Sequence, residues 1–248
     1  MKNNSSGQHK AAVAAAFATT RWSLVGRAGD ENTDARVALD ELCRIYWYPL
    51  YCYVRRWGMS PHDAEDAIQG FFLRLLEKKF FGQADPEKGT LRGFLLKRLQ
   101  FDLVNEHRRS TAAKRGGHVG FIPLDTTGAE DRYLGERFDA HSPEKVFERR
   151  WALTVLERVS TILRSLWEKN NKSDLYAALS PFLFTSLDSG STKSLAAERN
   201  MTETNIKVSL HRLRENFRTL LRSEIAQTVQ SESEIDSELA ALRSAVEQ

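Results

Sequence analysis

The sequence predicts an all-α protein: two helical domains joined by a flexible linker, the second containing a helix-turn-helix. Three observations carry that prediction. Apolar residues recur at helical spacing along nearly the whole chain, and no two-residue alternation persists over a strand length. The pattern lapses between Gly116 and Ser142, where "GGHVGFIPLDTTGAEDRYLGERFDAHSP" is rich in Gly, Pro and Asp. Late in the chain a short helical pattern, a tight turn and a longer helical pattern follow one another. The expected spans are a flexible lead over 1–30, a first domain over 31–115, a linker over 116–142, a second domain over 143–225 and an acidic extension over 226–248.

Composition narrows the class. A chain of 248 residues with 41% hydrophobic and 28% charged residues is long enough to bury an ample core and reads as a soluble globular protein. No apolar run reaches the roughly eighteen residues of a membrane span. The Ala-rich start is too weakly apolar for a signal peptide. Cys43 and Cys52 match no zinc spacing and sit in an apolar helical pattern. They read as reduced, packed thiols of a cytoplasmic protein.

In chain order, "ARVALDELCRIYWYPLYCYVRRWG" is helical, expected to bend near Pro49 and to stop at Gly58. "SPHDAEDAIQGFFLRLLEKKF" opens on Ser60 as N-cap and Pro61 at the first helical position, with Asp63, Glu65 and Asp66 near the positive end of the helix dipole. Ala64, Ala67, Ile68, Phe71 and Leu75 gather on one face. Phe72, Leu73 and Leu76 fall outside it, among Glu65, Asp66 and Gln69. Such a second apolar strip belongs either to a deep core or to a partner. "FGQADPEKGT" is a loop, and "LRGFLLKRLQFDLVNEHRRSTAAKR" a long basic helix. After the linker, Ser142-Pro143 restarts a helix that runs through "FERRWALTVLERV", and three more follow to Ile225. In the tail, Ile235, Leu239 and Leu242 share one helical face; the segment either folds back on the basic second domain or serves as a solubilising extension.

Two segments carry binding chemistry. From Arg92 to Arg115 the net charge is +5, with Leu91, Leu95, Leu99 and Leu103 as a core stripe. Phe94, Lys97, Arg98, Phe101, Asn105 and Arg108 fall on another arc. Rings with π-faces and cations that follow phosphates suit unstacked bases; otherwise both phenylalanines belong to the core. From Glu198 to Arg222 the net charge is +3. Asn200 stands where the turn needs a left-handed residue, and Thr202 can cap the second helix. There Ile206, Leu210, Leu213, Phe217 and Leu220 face inward. Thr204, Lys207, Val208, His211 and Arg212 lie opposite, on the part of such a helix that enters a major groove. Catalytic readings fare poorly. Asp63 and Asp66 lack further ligands at metal spacing, and "KRGGHVG" lacks the Lys-Ser/Thr of a phosphate loop. No enzyme activity, metal or cofactor is expected.

The order of these elements resembles a bacterial RNA polymerase sigma factor of the extracytoplasmic-function type. "LCRIYWYPLYCYVRRWG" resembles the first helix pair of that family's promoter-melting domain, and "DAEDAIQGFFLRLLEK" its polymerase-binding helix. "LRGFLLKRLQFDLVNEHRR" is similar to the helix that recognises the −10 element, and "SLAAERNMTETNIKVSLHRLR" to the −35 helix-turn-helix. "TTRWSLV", "KRGG" and "FERRWALTVLERV" point to a subgroup with a long linker and a C-terminal extension. The resemblance implies binding to core RNA polymerase, through the largest subunit's clamp helices and the flap, and to promoter DNA. An anti-sigma factor is a further candidate partner. It assigns Glu65, Asp66, Gln69, Phe72, Leu73 and Leu76 to polymerase, the basic arc to −10 DNA, and the Thr204–Arg212 face to −35 DNA. The chain departs from the family at Gln100-Phe101, where Arg-Asn is common, at Asn105 for Asp, at Phe94 for Trp, and at Asn200 for the turn Gly. These departures concern which promoter is read. The competing reading is a helix-turn-helix regulator that binds duplex DNA without joining polymerase.

Overall fold

A computed structural model describes residues 33–77, 90–110, 128–136, 141–229 and 231–247. The lead over 1–30, the loop before Thr90 and most of the linker lie outside these residues. Every regular element among the described residues is helical, as the periodicity predicts.

Helix α1, Thr33–Arg56, is buried nearly all round: from Leu42 to Val54 only Arg44 is exposed. A helix apolar on every side belongs in the middle of a core. It runs through Pro49 without interruption. Gly58, at φ +108°, then reverses the chain. The amide of Met59 bonds back to the Val54 carbonyl at 3.3 Å and that of Gly58 to Arg55 at 3.1 Å, the Schellman closure that a left-handed residue permits.

Helix α2, Pro61–Glu77, starts as its sequence predicts. The Asp63 amide donates to Ser60 Oγ at 3.2 Å, and that hydroxyl donates to the Asp63 carboxylate at 2.7 Å. Helix α3, Leu91–Ser110, buries Leu91, Leu95, Leu99 and Leu103, with Leu96 beside them. Helix α2 packs against both α1 and α3, so more than one of its faces is covered.

A short helix, α4 (Ala129–Gly135), lies inside the segment read as linker. Its seat on α1 is made by charge and rings. Arg55 donates to both carboxylate oxygens of Glu130 at 2.8 and 2.6 Å, and the Tyr51 hydroxyl adds a bond at 2.6 Å. Glu136, just past the helix, accepts from Tyr48 and from Arg150. Only Ala129 of α4 is buried, so there is no apolar stripe for periodicity to detect.

Helix α5, Pro143–Lys169, is capped by Ser142, whose Oγ accepts from the Lys145 amide at 3.3 Å. Then come α6 (Ser173–Leu179), a single 3-10 turn (Ser180–Phe182), α7 (Ser189–Glu198), α8 (Glu203–Ala226) and α9 (Glu232–Glu247). The described chain forms two compact units. One takes everything up to Thr154 together with Ile225 onward; the other is Val155–Glu224. The division therefore falls within α5, twelve residues after its start at Pro143, and not at the linker. The acidic extension also departs from expectation. Its helix α9 belongs to the first unit: Glu238 pairs with Arg92, Arg149 donates to the Val246 carbonyl at 3.1 Å, and Ile235, Leu242 and Ala245 are buried. A buried carboxylate needs a cation, and Arg92 at the start of α3 supplies it.

Cys43 and Cys52 are buried and unjoined, and burial pushes both thiols up to about 12. That agrees with packed, protonated thiols.

Candidate nucleic-acid interface

In the second unit, α7 starts at an aspartate cap. The Ser191 amide donates to Asp188 Oδ1 at 2.8 Å, and this bond, with those from the Ser191 hydroxyl and neighbouring amides, holds the carboxyl below its ordinary range. At the other end Asn200 adopts φ +51°. The Met201 amide bonds to the Ala196 carbonyl at 2.9 Å and that of Asn200 to Ala197 at 3.3 Å, the same closure as at Gly58 with Asn in the left-handed place. Thr202 Oγ1 then accepts from the Asn205 amide at 3.2 Å and opens α8. Asn200 thus takes the left-handed conformation, and Thr202 the capping place, that the sequence predicts.

Along α8, Ile206, Leu210, Leu213 and Phe217 are buried, while Leu220, expected on the same face, is half-buried. Thr204, Lys207, Val208, His211 and Arg212 are all exposed. An exposed Val208 between two cations and a histidine gives this face an apolar point flanked by donors. That combination can meet a thymine methyl and the acceptor edge of guanine in one groove. Farther along, Arg214 is turned back on its own unit, donating to the carbonyls of Phe182 at 2.9 Å and Thr185 at 2.6 Å, so it braces the 3-10 segment.

In the first unit, α3 presents the basic arc. Lys97 is exposed, Phe94, Arg98 and Asn105 are half-buried, and Phe101 is 59% exposed. The side chain of Arg108 lies outside the described residues. Phe101 therefore stands off the core, and Phe94 is the more enclosed of the two rings. The Arg98 guanidinium lies 5.2 Å from the centre of the Phe101 ring. Sequence reasoning missed Val104, which is 44% exposed on the same arc. The signal was available: Val104 follows Lys97 by seven residues, two helical turns.

The strip on α2 needs a correction. Phe72, expected at the surface among the polymerase-binding residues, is fully buried, packed edge-to-face with Phe71 at 5.5 Å between ring centres. The reason is that α2 is covered by α1 and by α3, so two faces carry core residues. Glu65, Gln69 and Leu73 are half-buried and Asp66 is exposed. The side chain of Leu76 lies outside the described residues. What remains for a partner is a narrower strip, Leu73 with an acid and amide rim.

Among the described residues no group of three His, Cys, Asp or Glu side chains is placed to hold a metal ion. No described helix is long and apolar enough to cross a membrane. No family model, curated protein or solved structure matches the chain.

Proposed function

We propose that this chain is a sigma factor: it joins core RNA polymerase, recognises promoter DNA with its second unit, and opens the −10 region with its first. The reading rests above all on Phe101, a phenylalanine more than half exposed beside Lys97 and Arg98 on a helix whose leucine stripe is buried. A protein that only grips duplex DNA has no use for a projecting ring on a basic helix. A protein that captures unpaired bases does, because each base offers a π-face and each intervening phosphate a charge. The capped turn at Asn200 and the exposed Thr204–Arg212 face supply a helix-turn-helix suited to the −35 element. Strand opening in this scheme draws on binding free energy, without nucleotide hydrolysis.

A polymerase partner is supported by Leu73 and its rim of Glu65, Asp66 and Gln69, since an apolar centre within a polar border is ordinary interface anatomy. The burial of Phe72 narrows that patch, and this favours a second reading: a helix-turn-helix regulator that binds duplex DNA alone. Transcription with purified core polymerase on fragmented genomic DNA separates the two. Defined start sites that require both core enzyme and this protein support the sigma reading. Duplex binding without added initiation would leave the regulator.

A further inference from the structure

Helix α3 carries a buried acid one turn after Arg98, where the basic arc meets the leucine stripe. Asp102 is 8% exposed. Its two carboxylate oxygens are divided between two cations: Oδ2 accepts from Arg74 Nε of α2 at 3.1 Å, and Oδ1 pairs with Arg98 Nη2 of α3 at 2.9 Å. Arg98 in turn lies against the Phe101 ring. The chain of contacts runs from α2 to the most exposed ring on the basic helix. Gly70 keeps room for its far end, since a Cβ at that position would lie 3.0 Å from Arg74 Nη1.

We infer that Asp102 is a positioning residue for base capture, holding the Arg98 guanidinium beside Phe101 so that ring and cation meet an unpaired base as one preformed platform. A long arginine side chain without a brace samples many rotamers, and fixing one in advance removes that entropy from the binding step. A carboxylate held from behind by Arg74 is suited to this: it cannot turn to solvent, so its second oxygen stays aimed at Arg98. The guanidinium backs the ring by cation–π attraction while more than half of the phenylalanine remains open. The leftover charge of the trio is positive, which suits the phosphate path alongside. The inference deepens the reading of α3 as a single-strand DNA surface and rests on it.

The test uses the holoenzyme formed with core RNA polymerase and a duplex ending in a single-stranded overhang, either intact or abasic. With wild-type protein the intact overhang should bind about tenfold more tightly, the order expected for a stacked base. Phe101→Ala should abolish that ratio. Asp102→Asn should reduce it to about twofold or less while abasic binding holds or rises slightly, because an acid beside the phosphates has been removed. If Asp102→Asn does not fold by circular dichroism, Arg74→Gln on α2 carries the test, with the ratio falling about threefold. A folded Asp102→Asn that keeps the wild-type ratio overturns the positioning role alone, as does parallel loss of intact and abasic binding. A wild-type protein that does not distinguish the overhangs overturns the base-capture reading and the positioning role with it.

Discussion

Phe72 and Phe101 differ by environment alone: the first is sealed between helices and the second stands largely in water. Phe72→Ala should therefore lower stability by about 3–5 kcal/mol, through lost transfer free energy and the cavity left behind. Phe101→Ala should change it by no more than about 0.5 kcal/mol, the range of an exposed site. Its loss belongs to open-complex formation, and a template with a pre-opened bubble should restore most activity because the bases are already unpaired. Equal melting temperatures for the two variants would contradict this division. On α8, Lys207→Ala or Arg212→Ala should weaken −35 duplex binding by about 1–3 kcal/mol and relax specificity if the side chain reads a base edge. A uniform loss across sequences, with a flatter salt dependence, would assign that side chain to phosphate instead.

At the scale of elements, two helices are held by ion pairs, and each makes a prediction. Helix α4 rests on the Glu130 carboxylate. The hydrogen bonds from Arg55 hold its pKa below the ordinary value of 4.5, against the opposing effect of burial. A depressed carboxyl pKa contributes stability that is present above the unfolded value and disappears as pH falls through the folded one. Amide exchange in α4, corrected for its intrinsic pH dependence, should thus rise relative to α1 as pH drops below about 4.5. Glu130→Gln should reproduce the effect at neutral pH; α4 exchange that stays coupled to α1 in both experiments would refute it. Helix α9 rests on Glu238. Desolvation lowers the pKa of Arg92, but Glu238 and Glu148 more than offset it, and burial raises that of Glu148 despite the arginine. Glu238→Ala should destabilise the first unit by about 1.5–3 kcal/mol, the range for a hydrogen bond to a charged group. Truncation after Val229 removes the same contact. If the tail instead restrained the second unit, truncation would raise duplex affinity in the absence of polymerase; the location of Glu238 and Val246 predicts unchanged affinity.

For the whole molecule, the all-helical class was legible because the leucines of α3 and the inward residues of α8 repeat at helical spacing. The turn at Asn200 was legible because few residues tolerate a left-handed backbone. Three features were not. Helix α4 is too short to show a period and is held by Glu130, whose partner Arg55 is distant in sequence. Phe72 is buried because α2 has two covered faces, and a single-helix projection cannot count neighbours. The place of α9 depends on one long-range pair between Arg92 and Glu238, and no pattern along the chain joins two residues so far apart in sequence. The division into units within α5 was hidden for a related reason, since nothing in a continuous helical pattern marks where packing changes sides. What was read well is set by neighbours in sequence, and what was missed is set by neighbours in space.

In the proposed function, this chain and core RNA polymerase together open promoter DNA. Permanganate reactivity of thymines near a mapped start site measures that opening directly. Reactive thymines are expected when core polymerase and this protein are present together, none with either alone, and a marked loss with Phe101→Ala although the closed complex still forms. A duplex that stays unreactive with both proteins bound would contradict it.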